Sequence, residues 1–152
     1  MKLVWSCPCE ETKLSAEGDI LAKPICHCEA CRYLQSAPIG GQVVLFKIGT
    51  VKADKGSFEK CIEPKYTHHN MLCTNCRRRV FSLSEKYGLD RISLTDLVRC
   101  NGRTVPDGCE SNMHIYYGER VFDIADNLPK YLDVPEGFGG SGKELNNDGT
   151  PK

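Results

Sequence analysis

Seven cysteines fall into three tight groups: Cys7 and Cys9 form a CxC, Cys26, Cys28 and Cys31 form a CxCxxC, and Cys73 and Cys76 form a CxxC. A disulfide needs a Cα separation that close neighbours in a turn meet poorly, whereas a tight turn can aim two sulfurs at one metal ion. The total of 10 cysteines in 152 residues would otherwise suggest a disulfide framework in an oxidising compartment. The clustering favours thiolate metal ligands instead. Cys61, Cys100 and Cys109 stand alone and are expected to be buried, acting as small apolar side chains.

Charge and hydropathy narrow the function classes. With 20 basic and 20 acidic residues the chain lacks the positive bias of a nucleic-acid binder, so no nucleic-acid partner is expected. The opening MKLVWSCPCEETK has no apolar run of signal-peptide length, and no stretch of ~18 apolar residues occurs. The expectation is a cytoplasmic protein with no membrane partner, with one core and one domain for this length.

Short apolar runs rich in β-branched and aromatic residues, broken by Gly, Pro and Asn, predict a mostly β fold. Strands are expected at 2–6, 19–25, 42–48, 58–62, 66–72, 80–83 and 113–117. Residues 28–34 fit one or two helical turns beginning on the middle cysteine group, and 93–99 fit a short helix or a strand. The metal-binding domain is expected to span 1–135. After Pro135 the glycine-rich 136–152 has too little apolar area to offset its ordering entropy and is expected to be a mobile tail. Its GGSG lacks the flanking strand, helix and spaced lysine of a phosphate loop, so a linker is the expectation.

Seven sulfurs divide most simply as four plus three. Four close a structural zinc site, whereas three leave one position for water or a substrate atom, as a catalytic zinc requires. Spacing alone does not say which knuckles pair, and it leaves open that all seven are structural, with a histidine or a further cysteine completing the second site.

SCPC at 6–9, CHCEACR at 26–32 followed by Ala37-Pro38, LCTNC at 72–76, MHIYY at 113–117 and DNLPKY at 126–131 together resemble the glutathione-dependent formaldehyde-activating enzyme family, to which centromere protein V also belongs. The resemblance implies a zinc-binding β-tent of antiparallel sheets with few short helices. It implies a structural zinc on Cys7, Cys9, Cys73 and Cys76, and a second zinc with an open position on Cys26, Cys28 and Cys31, where a thiol such as glutathione binds. Family knuckles usually place glycine after the second cysteine, but here Glu10 and Arg77 stand there, so strained or differently shaped turns are expected. Gln35 and Ser36 replace the usual Ser-Gly before Ala37.

Among other candidates, His27 alternates with ligand cysteines and is expected to point away from the metal, supporting the site or exposed. His68 and His69 are expected at the surface. His114, on a predicted strand, either handles a proton at the open zinc or is a satisfied core residue, and Arg32 is a candidate binder of an anionic substrate group. Arg77, Arg78 and Arg79 either offer a fork for carboxylates or solvate a loop.

The leading expectation is a zinc-dependent carbon–sulfur lyase, or related enzyme, acting on a small thiol or thiol adduct of the glutathione type, with His114 and Arg32 as catalytic residues. The alternatives are a non-catalytic, zinc-stabilised module engaging a protein partner, and a biosynthetic enzyme using the open zinc on another substrate.

Overall fold

The computed structural model describes residues 1–152 and divides them into two compact units, 1–22 with 43–110, and 23–42 with 111–152. In chain order the elements are β1 (Lys2–Ser6), β2 (Lys13–Glu17), β3 (Pro24–Cys26), α1 (Glu29–Gln35), β4 (Val43–Lys47), β5 (Val51–Lys55), β6 (Phe58–Cys61), β7 (His68–Cys73), β8 (Arg79–Ser84), β9 (Leu89–Ser93), α2 (Leu94–Arg99), β10 (Met113–Ile115), β11 (Lys130–Tyr131) and β12 (Glu144–Leu145). The fold is mostly β with two short helices, as expected. No helix is long and apolar enough to cross a membrane.

The first unit holds two antiparallel sheets, ordered β1-β2-β5 and β4-β9-β8-β7-β6. Alternation along a strand sends every second side chain to the same face. In β1 that face carries Leu3 and Trp5, and the same parity continues to Cys7; in β7 it carries His69, Met71 and Cys73. The rule that builds the core therefore also delivers the first cysteine of each outer knuckle to the interior. Trp5 packs in that core and its Nε1–H donates to the Val80 carbonyl at 2.8 Å, so its one polar atom is satisfied. Burying such side chains contributes about 1.5–3 kcal/mol each.

The second unit is built on a mixed sheet, β12-β11-β10-β3, in which β10 runs parallel to both β3 and β11, and β12 is antiparallel to β11. The expectation of antiparallel sheets thus holds for the two sheets of the first unit, and the second unit's sheet is mixed. Parallel pairing needs a long crossover, and residues 27–112 between β3 and β10, with the stretch 43–110 of the first unit among them, supply one.

Several sequence expectations change. One core becomes two compact units, because residues 43–110 join 1–22 in one unit and separate the two parts of the other. Strands β2, β5, β9, β11 and β12 were not expected: β5 carries four exposed residues, and β11 and β12 are two residues each, so none has the pattern of a half-buried strand. The segment expected to be a mobile tail instead forms β12 and a 3-10 turn at Glu136–Phe138. Leu145 is buried in it, the Asp133 carboxylate accepts bonds from the Ser141 N–H and hydroxyl, and the Tyr117 hydroxyl donates to the Asn147 carbonyl at 2.5 Å. Glycine acts there by allowing close approach, since a Cβ on Gly140 would lie 2.1 Å from the Val134 carbonyl oxygen. Cys61 and Cys100 are exposed and only Cys109 is buried, because the edge strand β6 and the end of α2 leave them at the surface. His69 is buried with its Nδ1 accepting from the Glu63 N–H at 3.1 Å.

Candidate metal centres

In the first unit the Sγ atoms of Cys7, Cys9, Cys73 and Cys76 lie within 4.8 Å of one another. Cys7 and Cys76 are 3.0 Å apart and Cys9 and Cys73 are 3.7 Å apart. Ligands at the Zn–S length in a tetrahedron sit about 3.8 Å apart, so small adjustments would seat an ion. The two knuckles share one construction. Cys7 N–H donates to Thr12 carbonyl and Glu10 N–H to Cys7 carbonyl; Cys73 N–H donates to Arg78 carbonyl and Arg77 N–H to Cys73 carbonyl. Each turn closes on a residue with positive φ, Glu10 at 62° and Arg77 at 66°. The expected strain is present, because a side chain sits where glycine is favoured.

Burial, with crowding by Cys76, pushes the Cys7 thiol well up. Burial also opposes ionisation of Cys73, but hydrogen bonds from Thr12 Oγ1 and from the Asn75 and Cys76 N–H groups outweigh it and bring the thiol down to about 6. Thiols this close cannot all ionise without a cation between them, which is the electrostatic signature of a metal site.

In the second unit Cys26 ends β3, Cys28 is the N-cap of α1 and Cys31 lies in its first turn. Cys26 Sγ is 3.4 Å from Cys28 Sγ and 3.3 Å from Cys31 Sγ. Cys28 Sγ accepts from the Cys31 N–H at 3.3 Å, so the cap that starts the helix also fixes a candidate ligand. All three side chains are buried, packed by Ala30, Ile115 and Tyr116. Gly40 covers them closely: a Cβ there would lie 2.5 Å from Cys31 Cβ and 2.7 Å from the Cys26 carbonyl oxygen. The neighbouring sulfurs, then burial, push the Cys26 thiol well up, and Cys28, although helped by Cys26, is pushed up to about 12 by Cys31 and burial. Three converging soft ligands with suppressed ionisation fit a thiophilic divalent ion such as zinc.

Alternation does turn His27 away from the cysteines, onto the face that His114 shares through the Ile25↔His114 pairing. It is buried there, however, not exposed. His27 Nε2 lies 2.8 Å from His114 Nδ1, and the rings stack with centroids 5.1 Å apart. His114 Nε2 lies 2.7 Å from Asp126 Oδ2, and Lys130 Nζ donates to Asp126 Oδ1 at 2.6 Å and to the Leu128 carbonyl at 3.0 Å. Burial lowers the pKa of His27 to about 4 and also lowers that of His114, where the Asp126 carboxylate opposes it. Burial pushes the Asp126 carboxyl up, but bonds from Lys130 and His114 outweigh it and hold the carboxyl at about 2.

His114 is 0 % exposed with both ring nitrogens engaged. This enclosure is the setting of a satisfied core histidine, the second of the two alternatives. Arg32 is half-buried, and its Nε–H donates to the His27 carbonyl at 3.1 Å, leaving its NH2 groups without hydrogen bonds. Arg77 and Arg78 are exposed, Arg77 pairs with Glu59, and Arg79 is a half-buried residue of β8, so the three form no common fork. Sequence reasoning missed Asp126 and Lys130 as site-supporting residues. Their four-residue spacing around an Asn-Leu-Pro turn, within DNLPKY, was the available signal.

No curated protein matches the chain. Among solved structures, a Rhodobacter sphaeroides protein determined by crystallography is 15% identical over 64% of this chain and 87% of its own, with a TM-score of 0.45, a likeness too slight to argue from. The family model for the glutathione-dependent formaldehyde-activating enzyme matches residues 2–119, which include all seven clustered cysteines, His27 and His114, and stop short of Asp126 and Lys130. The chain therefore belongs to the glutathione-dependent formaldehyde-activating enzyme family.

Proposed function

We propose that the chain is a zinc-dependent enzyme of the carbon–sulfur lyase class, making or breaking the bond between a small thiol of the glutathione type and an aldehyde carbon. The observation that carries this reading is the contrast in ligand number: four converging sulfurs in the first unit and only three in the second. A zinc at the three-cysteine cluster would keep a fourth position for an exchangeable ligand and hold an incoming thiol as its thiolate.

The reaction balances without a redox partner. The thiolate sulfur gives its electron pair to the carbonyl carbon, the C=O π pair moves to oxygen, and that oxygen takes a proton from water to give the S-hydroxyalkyl adduct; lysis is the reverse. Water is assigned as the proton source because His114 is enclosed. Arg32, with its NH2 groups unbonded and its Nε–H fixed on the His27 carbonyl, would bind an anionic group of the thiol. Cys26, Cys28 and Cys31 would hold the ion, and Cys7, Cys9, Cys73 and Cys76 would hold a structural one.

Exchange between free formaldehyde with glutathione and their adduct, followed by NMR, should speed up in proportion to zinc-loaded protein and lose that acceleration in Cys28→Ala. In cobalt-substituted protein, glutathione should alter the ligand-field and sulfur-to-metal absorption. No acceleration, together with cobalt spectra indifferent to millimolar thiol, would overturn the enzyme reading in favour of a binding module.

A further inference from the structure

We infer that Asp126 is a positioning residue that sets the tautomers of two buried histidines in series, and through them the geometry of the Cys26–Cys28 turn. The geometry runs Lys130, Asp126, His114, His27, with contacts of 2.6, 2.7 and 2.8 Å. An ionised carboxylate only accepts, so His114 must carry its proton on Nε2. A neutral imidazole then has a bare Nδ1, which accepts from His27, so His27 carries its proton on Nε2 and keeps Nδ1 bare, on the backbone side of the ring. Asp126 thus dictates the donor pattern of a residue it does not touch.

The chain of contacts is anchored at both ends. Lys130 is buried and donates to both the Asp126 side chain and the Leu128 carbonyl, which orients the carboxylate. His27 is held by its own N–H on the Ile115 carbonyl and by Arg32 on its carbonyl, and it sits directly between two candidate ligands. Tyr117, fully buried, packs edge-on against both rings at 5.2 and 5.6 Å and leaves them little freedom to turn. A tautomer error would therefore be relieved by moving the backbone of the Cys26–Cys28 turn.

Lys130 also makes the inference sharp. In Asp126→Asn, the side chain has one acceptor and one donor end. The Lys130 ammonium needs the acceptor, so the amide NH2 faces His114 Nε2 and forces the opposite tautomer on both histidines.

The test is ring-nitrogen NMR on the zinc-loaded full chain labelled at histidine. In the unaltered protein, His114 and His27 should each show a protonated Nε2 and a bare Nδ1; a protonated Nδ1 on His114 overturns the inference with no variant needed. Asp126→Asn should exchange the pattern at both rings and weaken zinc at the three-cysteine cluster by about 10-fold or more in competition with a chelator. An unchanged ring pattern in Asp126→Asn refutes the inference. The affinity measurement rests on the metal reading of the second cluster, whereas the ring pattern does not, so failure of the proposed reaction would leave the tautomer result standing.

Discussion

The two cysteine clusters use the same ligand atom and are built in opposite ways. In the first unit, each knuckle contributes two sulfurs from a strand-end turn, and the knuckles are separated by 64 residues between Cys9 and Cys73. In the second unit, six consecutive positions supply all three sulfurs, from a strand end, a helix cap and the first helical turn. An ion in the first cluster would close a long loop and restrain β1 through β7, whereas an ion in the second would restrain little more than the turn it sits on. The same chemistry would thus be worth mostly folding free energy in one place and mostly reactivity in the other.

The most direct way to break this comparison is to remove one ligand from each cluster. Cys73→Ala should leave the protein unfolded or insoluble, since structural zinc sites contribute on the order of 10 kcal/mol of apparent binding free energy that is also folding free energy. Cys28→Ala should give a folded chain with unchanged far-ultraviolet circular dichroism and roughly one fewer zinc per chain. If the two variants melt alike, the functional division between the clusters is wrong. Stepwise chelation should agree, with one ion leaving before any loss of secondary structure and the second leaving together with it.

A smaller effect is expected from Gly40→Ala, which targets only the three-cysteine cluster. The new methyl carbon would sit 2.5 Å from Cys31 Cβ and 2.7 Å from the Cys26 carbonyl oxygen, so the turn must shift. Overpacking of this kind costs about 1–3 kcal/mol. Zinc titration should show weaker binding at one site and normal binding at the other; two unaffected sites would mean that the Gly40 contact does not set the cluster's geometry.

How much of this was legible in the sequence follows the range of the interactions. The cysteine groups, β1, β4, β6 and β8 were readable because spacing and alternation are local, and helical turns were expected over 28–34, beginning on the middle cysteine group, where α1 follows its cap Cys28. His27 turning from the cysteines was likewise a parity argument. The contact from His27 to His114 was not readable, because it depends on β10 pairing in parallel with β3 across 87 residues of sequence separation at the histidines, and the link on to Asp126 and Lys130 follows from the pairing of β10 with the two-residue β11. The segment after Pro135 misled for a related reason. Its composition predicts disorder, yet a two-residue strand, one buried leucine and the backbone acceptors of Asn147 and Asp148 tie it down, and none of these raises its hydropathy.

The smallest predicted effect separates the clusters by backbone strain. Glu10 closes the first knuckle with φ at 62° and makes no ion pair, so Glu10→Gly removes a left-handed penalty of about 1–2 kcal/mol and adds back roughly 0.5–1 kcal/mol of unfolded-state entropy. The net is about 0.5 kcal/mol of stabilisation, a rise in melting temperature of ~1–2 °C for a chain of this size. Arg77→Gly should gain less, because it also loses the exposed pairing with Glu59, worth between 0 and about 1 kcal/mol. Ser36→Gly, at φ 51° on the C-cap of α1, should stabilise by a similar amount through the helix that carries Cys31. In calorimetry on the zinc-loaded protein, the Glu10 change should raise the transition that accompanies loss of the four-cysteine ion. The Ser36 change should leave that transition in place and strengthen only zinc binding at the three-cysteine cluster. If Ser36→Gly instead raises the main transition as much as Glu10→Gly does, the second cluster is carrying structural load and the contrast between the two narrows to ligand number alone.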